Sequence, residues 1–331
     1  MYRLERLDGK KALVTGGLGF IGSNIVHKLF ELGAKITVLD ACIDPYGWNF
    51  ANIKEIKDKI EFIKGDTRDP VLIKDIVKNK DYIFDCAAQI SHLISIKDPL
   101  LDIDINCRGA MTILEAVRQV NKDAKLIYAG TRGEIGKMEY SPIDEKHPTN
   151  PTDINGIDKL AVEKYYILYY KLYGIRTTSI RINNTYGERS QMKHDDYSIV
   201  NWIIRRVILG EEIIIHGEGL QTRDYNYVVD VADAMILASQ NEKSNGEIFM
   251  LGSGKETRFI DMINLIIKTA GSKQEIKKIP RPESRKAIEI GNFVVNIEKI
   301  RNLLSWYPET SIEDGIKKTI DFYKERIKEY I

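Results

Sequence analysis

The chain has 331 residues, 43% of them hydrophobic and 29% charged, with a formal net charge of +1. That length suits one large or two medium globular domains, and near-neutrality gives no electrostatic case for a nucleic-acid or membrane partner. Three widely spaced cysteines, Cys42, Cys86 and Cys107, form no C-x-x-C pair, so neither a disulfide framework nor a metal site is expected, and each is taken as a small core residue. The charged stretch Met1–Lys10 lacks an apolar signal core, and no apolar run reaches the ~18 residues of a spanning helix, so the cytoplasm is the expected compartment.

Short apolar runs alternate with stretches of helical spacing through the first half. Lys11–Thr15, Lys35–Leu39, Ile60–Ile63, Tyr82–Cys86, Lys125–Ala129 and Thr177–Ile182 are expected as buried strands. Ile21–Leu32, Val71–Val77, Leu100–Val120 and Asp158–Tyr173 are the helices expected between them. Such alternation predicts an α/β fold, a doubly wound parallel sheet of the Rossmann type with helices on both faces. From Asn183 the pattern loosens. A strand–helix unit returns at Asn226–Ser239 and Ile248–Leu251, and amphipathic helices are expected at Arg258–Ala270 and Ile312–Tyr330. Residues 1–182, with 224–253 returning, are thus expected as a dinucleotide-binding domain, and most of 183–331 as a smaller, interleaved substrate domain.

Strand Lys11–Thr15 runs into Gly16-Gly17-Leu18-Gly19-Phe20-Ile21-Gly22, directly before a helix. In that context Gly16 allows a tight turn, Gly19 lets the backbone approach a pyrophosphate at the helix N-terminus, and Gly22 lets helix and strand pack closely. The next strand leads to Asp40, near the offset of ~20 residues expected for an acid on the adenine ribose. Its carboxylate would accept from both ribose hydroxyls and repel a 2′-phosphate. Ala41 and Cys42 supply no compensating arginine, so NAD is favoured over NADP.

The G-x-x-G-x-x-G spacing resembles the extended short-chain dehydrogenase/reductases, particularly the NAD-dependent nucleotide-sugar epimerases and dehydratases, over nearly the whole chain. Gly65-Asp66-Thr67-Arg68-Asp69 resembles the family's G-D-x-R-D, which implies that Asp66 holds the adenine, with Thr67 beside it. Asp85-Cys86-Ala87-Ala88-Gln89 resembles the H-x-A-A-Q next to the nicotinamide, with Asp85 in place of His and Ala87 against the cofactor. Asp98-Pro99 and Asn106-x-x-Gly109 match the following helix. Arg181-Ile-Asn-Asn184-Thr-Tyr186-Gly187 resembles R-x-x-N-V-Y-G, and Gly217-Glu-Gly219-Leu-Gln221-Thr-Arg223-Asp224 resembles G-D-G-x-Q-x-R-D. With Arg281-Pro282, these imply Asn184, Arg223 and Arg281 as ligands of a nucleoside diphosphate, which suits guanidinium donors.

The catalytic motif departs from the family. Laid on Ser/Thr followed by Tyr-x-x-x-Lys, the sequence places Thr131 and Lys159 correctly but puts Asn155 where the tyrosine belongs. No Tyr-x-x-x-Lys occurs anywhere in the chain. Asparagine can hydrogen-bond a hydroxyl but cannot take its proton, and losing a placed base typically forfeits ~10²–10⁴ in rate. Asp153, Asp158, Asp85 and His92 are substitutes by sequence proximity, and Lys159 itself could serve if desolvated. The family's 4,6-dehydratases carry Asp-Glu after the threonine. Here Arg132-Gly133 follows, so dehydration of that kind is not expected. The resemblance therefore implies NAD-dependent oxidation at C4 of a nucleotide-linked hexose or heptose, with Thr131, Asn155 and Lys159 at the reacting hydroxyl and Lys159 also on the nicotinamide ribose. Two alternatives stand beside it: a 4-epimerase with a transient ketone, and a catalytically silent binder of NAD and sugar nucleotide. In helix Asp158–Tyr173, Tyr166, Tyr169, Tyr170 and Tyr173 fall on one stripe, either core or the contact of a homodimer.

Overall fold

The computed structural model describes residues 2–44, 47–194, 198–280 and 291–331. At its centre, β1 (Lys11–Thr15) lies between β2 (Lys35–Asp40), which leads outward to β3 (Glu61–Lys64), and β4 (Tyr82–Asp85). Beyond β4 follow β5 (Lys125–Thr131), β6 (Arg176–Ile182) and, at the other edge, the strand Glu247–Leu251. Every pairing in this seven-stranded sheet is parallel. The chain leaves β1 in one direction and returns to its other side at β4, so a crevice opens there beyond the strand ends.

Alternate strand residues feed two cores. Val14, Val38, Phe84 and Ile127 pack under α1 (Phe20–Glu31) and the helix Val228–Gln240. Leu13, Ile83, Leu126 and Tyr128 pack under α2 (Pro70–Ile76), α5 (Gly109–Val120) and α6 (Ile154–Tyr173). Each fully buried aliphatic side chain contributes roughly 1.5–3 kcal/mol. A third core joins the helices Ile199–Leu209, Phe259–Ala270 and Ile312–Arg326 around Tyr186, Tyr323 and Tyr330.

Several expectations are corrected. The single helix expected over Leu100–Val120 is broken: α4 (Pro99–Ile103) passes through a π-helical turn, Asp104–Arg108, into α5. An unforeseen short helix, α3 (His92–Lys97), precedes it, started by the Ser91 hydroxyl accepting from the Ile94 N–H at 3.2 Å. Helix α6 begins four residues before the expected Asp158, because the Asp153 carboxylate caps it by accepting from the Gly156 N–H at 2.8 Å. Asn155 and Lys159 thereby stand one turn apart on one face. The tyrosine stripe splits, with Tyr166 and Tyr169 buried and Tyr170 and Tyr173 exposed; the apolar stripe left open on α6 is instead Ile157, Leu168 and Leu172. The three cysteines are half-buried, packed against the edges of these cores.

The end of β5 is tied to β6 and α6 by buried charge. Arg181 donates through Nε and Nη2 to the Glu163 carboxylate at 2.7 and 2.8 Å, and through Nε to Glu134 at 3.3 Å. None of the three side chains is more than 1% exposed. Burial and the charge of Glu163 push Glu134 well above the carboxylate range; burial also works to raise Glu163, but Arg181, with Glu134 and Lys164, leaves it below its ordinary value. Glu134 then reaches back to accept from the Thr131 N–H at 2.8 Å. Removing the ionised partner strands the guanidinium in the interior. Glu163→Ala is expected to cost about 3–5 kcal/mol in denaturant unfolding; a loss below about 1 kcal/mol would show that the network does not hold the fold.

Candidate functional site

The crevice at the strand ends is bordered by the glycine loop at one end and by Thr131, Asn155 and Lys159 at the other. Gly16 has φ +63°, and a side chain there would bring Cβ to 2.7 Å from the Cys86 carbonyl oxygen. A Cβ on Gly22 would strike the Gly16 carbonyl, so the helix start can lie against the loop only without one. No side chain caps the first turn of α1, which begins after Gly19 and has Phe20, Ile21 and Gly22 bordering the crevice. That turn can receive a pyrophosphate.

Asp40 closes β2 with its carboxylate in the crevice, accepting from the Leu18 N–H at 3.1 Å and the Cys42 N–H at 2.9 Å. Burial raises its pKa, and these two hydrogen bonds work against the rise. Each oxygen keeps a lone pair for a ribose hydroxyl. Asp66, Thr67 and Ala87 also border the crevice. Both Asp66 oxygens are engaged by Arg68, at 2.9 and 2.7 Å, and Arg68 reaches Asp104 at 2.8 Å. Two bordering residues escaped sequence reasoning: the Trp48 indole N–H and both polar atoms of the Asn183 amide are buried without a partner among the described residues. Such groups typically cost ~1–3 kcal/mol each unless a ligand satisfies them. The residues present therefore fit a dinucleotide with a polar ligand beside it.

At the other end, the Thr131 hydroxyl oxygen accepts from the Gly133 N–H at 3.2 Å. The Lys159 ammonium donates to the Ala129 carbonyl at 3.3 Å and lies 5.0 Å from the Tyr128 ring centre. Burial pushes Lys159 down, while the charges of Asp85 and Glu134 work to hold it up. Asn155 is 3% exposed, and its amide nitrogen donates to the Gln89 carbonyl at 2.8 Å and to Asp102 at 3.4 Å. These acceptors fix the amide orientation. The carbonyl oxygen, unoccupied by any hydrogen bond among the described residues, is left as an acceptor for the crevice.

Lys159, itself a candidate acceptor, borders the crevice; of the four substitutes named by sequence proximity, the three carboxylates stand outside its lining. Asp85 is buried, accepting from Thr15 at 2.9 Å and Tyr166 at 2.6 Å. Asp158 is pushed up to about 7 by burial and by a shared hydrogen bond with Asp102, behind Asn155. Asp153 caps α6. His92 alone borders the crevice, with Nδ1 2.7 Å from an Asp153 oxygen. Arg132, which sequence reasoning treated only as a missing acid, also borders it, its Nε donating to the Asn184 side chain at 3.1 Å. Arg223 lies on the short strand Thr222–Arg223, outside that lining, donating to the Thr222 carbonyl at 2.9 Å and the Gly291 carbonyl at 2.6 Å. Arg281 falls outside the described residues.

The NAD dependent epimerase/dehydratase family profile matches residues 12–252. A protein of Methanocaldococcus jannaschii described as a putative UDP-glucose 4-epimerase is 36% identical over 315 residues, 94% of this chain and 98% of that one. The crystal structure of UDP-glucose 4-epimerase from Thermotoga maritima with UDP-glucose is 29% identical, covers 96% of this chain and 99% of its own, and superposes with a TM-score of 0.87. The UDP-glucose 4-epimerase of Thermus thermophilus in complex with NAD is 28% identical, with coverage of 96% and 99% and a TM-score of 0.84.

At the ribose the Asp40 carboxylate would meet a 2′-phosphate with like charge, and Arg68 is already held by two acids. Calorimetry is expected to show NAD binding tighter than NADP by about 100-fold, roughly 2.8 kcal/mol. Equal affinities would remove Asp40 from the ribose.

Proposed function

This chain belongs to the NAD-dependent epimerase/dehydratase family, and we propose that it uses NAD to oxidise the C4 hydroxyl of a nucleotide-activated hexose or heptose to a 4-keto sugar, without dehydration. The observation that carries this reading is the meeting of Thr131, Asn155 and Lys159 in one crevice with the glycine loop and Asp40. Thr131 and Asn155 would hold the hydroxyl. Lys159 would bind the nicotinamide ribose and stabilise negative charge developing on oxygen. Dehydration needs an acid and a base after the threonine, and the first acid there, Glu134, is 0% exposed and spent on Arg181 and the Thr131 N–H.

A second reading, 4-epimerisation, shares this oxidation and then returns the hydride to the other face of the ketone. The names of the Thermotoga and Methanocaldococcus relatives favour it. In either reading Asn184, Arg223 and Arg281 are proposed for the diphosphate, on the resemblance of their motifs.

Incubation with GDP-, UDP-, dTDP- and CDP-sugars is expected to give reduced nicotinamide with at least one sugar, or an epimer without net reduction. Lys159→Ala should lower that rate by ~10²–10³, and Asn155→Ala by only about tenfold, the worth of one orienting hydrogen bond. A wild-type protein inert towards the whole panel, with Asn155→Tyr active, would instead favour a silent binder.

A homodimer is proposed through the open stripe of α6, because Ile157, Leu168 and Leu172 are each about half exposed beside Leu100 and Ile103 of α4. Light scattering is expected to give twice the 37.9 kDa chain mass, with Leu168→Glu/Leu172→Glu giving monomer. A monomeric wild type would refute the contact.

A further inference from the structure

Asn155 can orient a hydroxyl but cannot deprotonate it, so the oxidation proposed above needs a proton acceptor elsewhere in the crevice. We infer that His92, oriented by Asp153, is that acceptor, an inference that rests on the oxidoreductase reading.

The two residues lie 61 positions apart and meet at 2.7 Å through Nδ1 and a carboxylate oxygen. The other Asp153 oxygen accepts from the Gly156 N–H at 2.8 Å, so the start of α6 fixes the carboxylate. Burial works to raise Asp153, but the hydrogen bond from His92, its charge and the Gly156 N–H together leave it below its ordinary value. An ionised carboxylate can only accept, so Nδ1 carries a proton, and in the neutral ring Nε2 presents its lone pair. The backbone at His92 is set as well, with the Ser91 side chain capping α3 and Ser95 Oγ donating to the His92 carbonyl at 2.8 Å.

Nε2 has no hydrogen bond among the described residues, and the side chain is 40% exposed on the crevice wall. The ring also stands near Thr131. The space above Gly133 where a Cβ would stand lies 3.7 Å from His92 Cε1 and 3.6 Å from the Thr131 hydroxyl oxygen. Thr131 and His92 thus flank the same side of Gly133 and both border the crevice, so a sugar hydroxyl bound between them could reach Nε2.

In the step assigned to His92, the sugar O–H bond breaks and its proton passes to Nε2. The C4–H bond breaks as hydride, carrying both electrons to oxidised nicotinamide, while the C–O bond becomes a carbonyl. The sugar is oxidised, NAD is reduced, and the imidazolium left behind is stabilised by the Asp153 carboxylate. No further oxidant or reductant is needed.

The test uses the NAD-loaded protein. His92→Ala should lower sugar-dependent NAD reduction by ~10²–10⁴ with NAD affinity unchanged, and added imidazole should restore part of the rate. Asp153→Asn, which keeps a helix cap, should lose part of the same factor. Nitrogen-15 NMR, with the His92 signals assigned by their loss in the Ala variant, should show the proton on Nδ1 in the wild type and redistribution between the nitrogens in Asp153→Asn. A His92→Ala protein with the wild-type rate, or a wild-type spectrum with the proton on Nε2, would overturn the inference. If the wild type reduces NAD with no sugar at all, it is the functional reading that fails, and the spectrum still decides the orientation of His92.

Discussion

The buried Arg181–Glu163–Glu134 network is the constraint on which the crevice depends. Taking a guanidinium and two carboxyl groups out of water is costly, and the cost is offset by the two short hydrogen bonds that Glu163 accepts from Arg181. What the arrangement contributes is position. Arg181 stands on β6, Glu163 on α6 and Glu134 in the turn after β5, so one charge cluster fixes three elements that meet at the reacting end. Through Glu134 it reaches the Thr131 backbone, and through α6 it sets the height of Lys159 and Asn155.

A second polar cluster stands behind Asn155. Asp102, fully buried, accepts from the amides of Gln89, Asn106 and Asn155, and its nearness helps to raise Asp158. Asp102 and Asn106, four residues apart where α4 runs into the π turn, both bond Gln89. The surroundings of Asn155 are thus built of acceptors. The asparagine amide is fitted to these neighbours, its nitrogen donating to two of them.

The parts legible in the sequence are those whose chemistry is local. Strand bounds, the glycine loop and Asp40 follow from hydrophobic spacing, backbone sterics and a fixed offset, and the structure places them within a residue or two. The proton acceptor was not legible. Sequence proximity ranked Asp153, Asp158, Asp85 and His92 equally, and only packing separates them, by burying Asp85 against Tyr166 and Asp158 against Asp102. Trp48 and Asn183 carried no motif, and their unsatisfied groups become visible only once the walls of the crevice are assembled. The tyrosine stripe misled because spacing shows which residues share a helix face but not which face meets the sheet.

Asp153 joins these two levels. One of its oxygens starts α6 and so sets Asn155 and Lys159; the other holds His92 from a different element. In a tyrosine-based site the base and the lysine share one helix, and the helix alone keeps them in register. With the base on α3, register must be supplied across the gap between elements, and one carboxylate at a helix start does so because its own position is fixed by the turn it caps. The imidazole is also far more open to water than the buried Asn155, so the proton it gains can pass to solvent rather than wait for the return step. Proton and hydride are then handled independently. On the proposed reading, whether the sugar would leave as a ketone or as an epimer turns on how long the reduced cofactor and the ketone would stay together in the crevice, and not on the base.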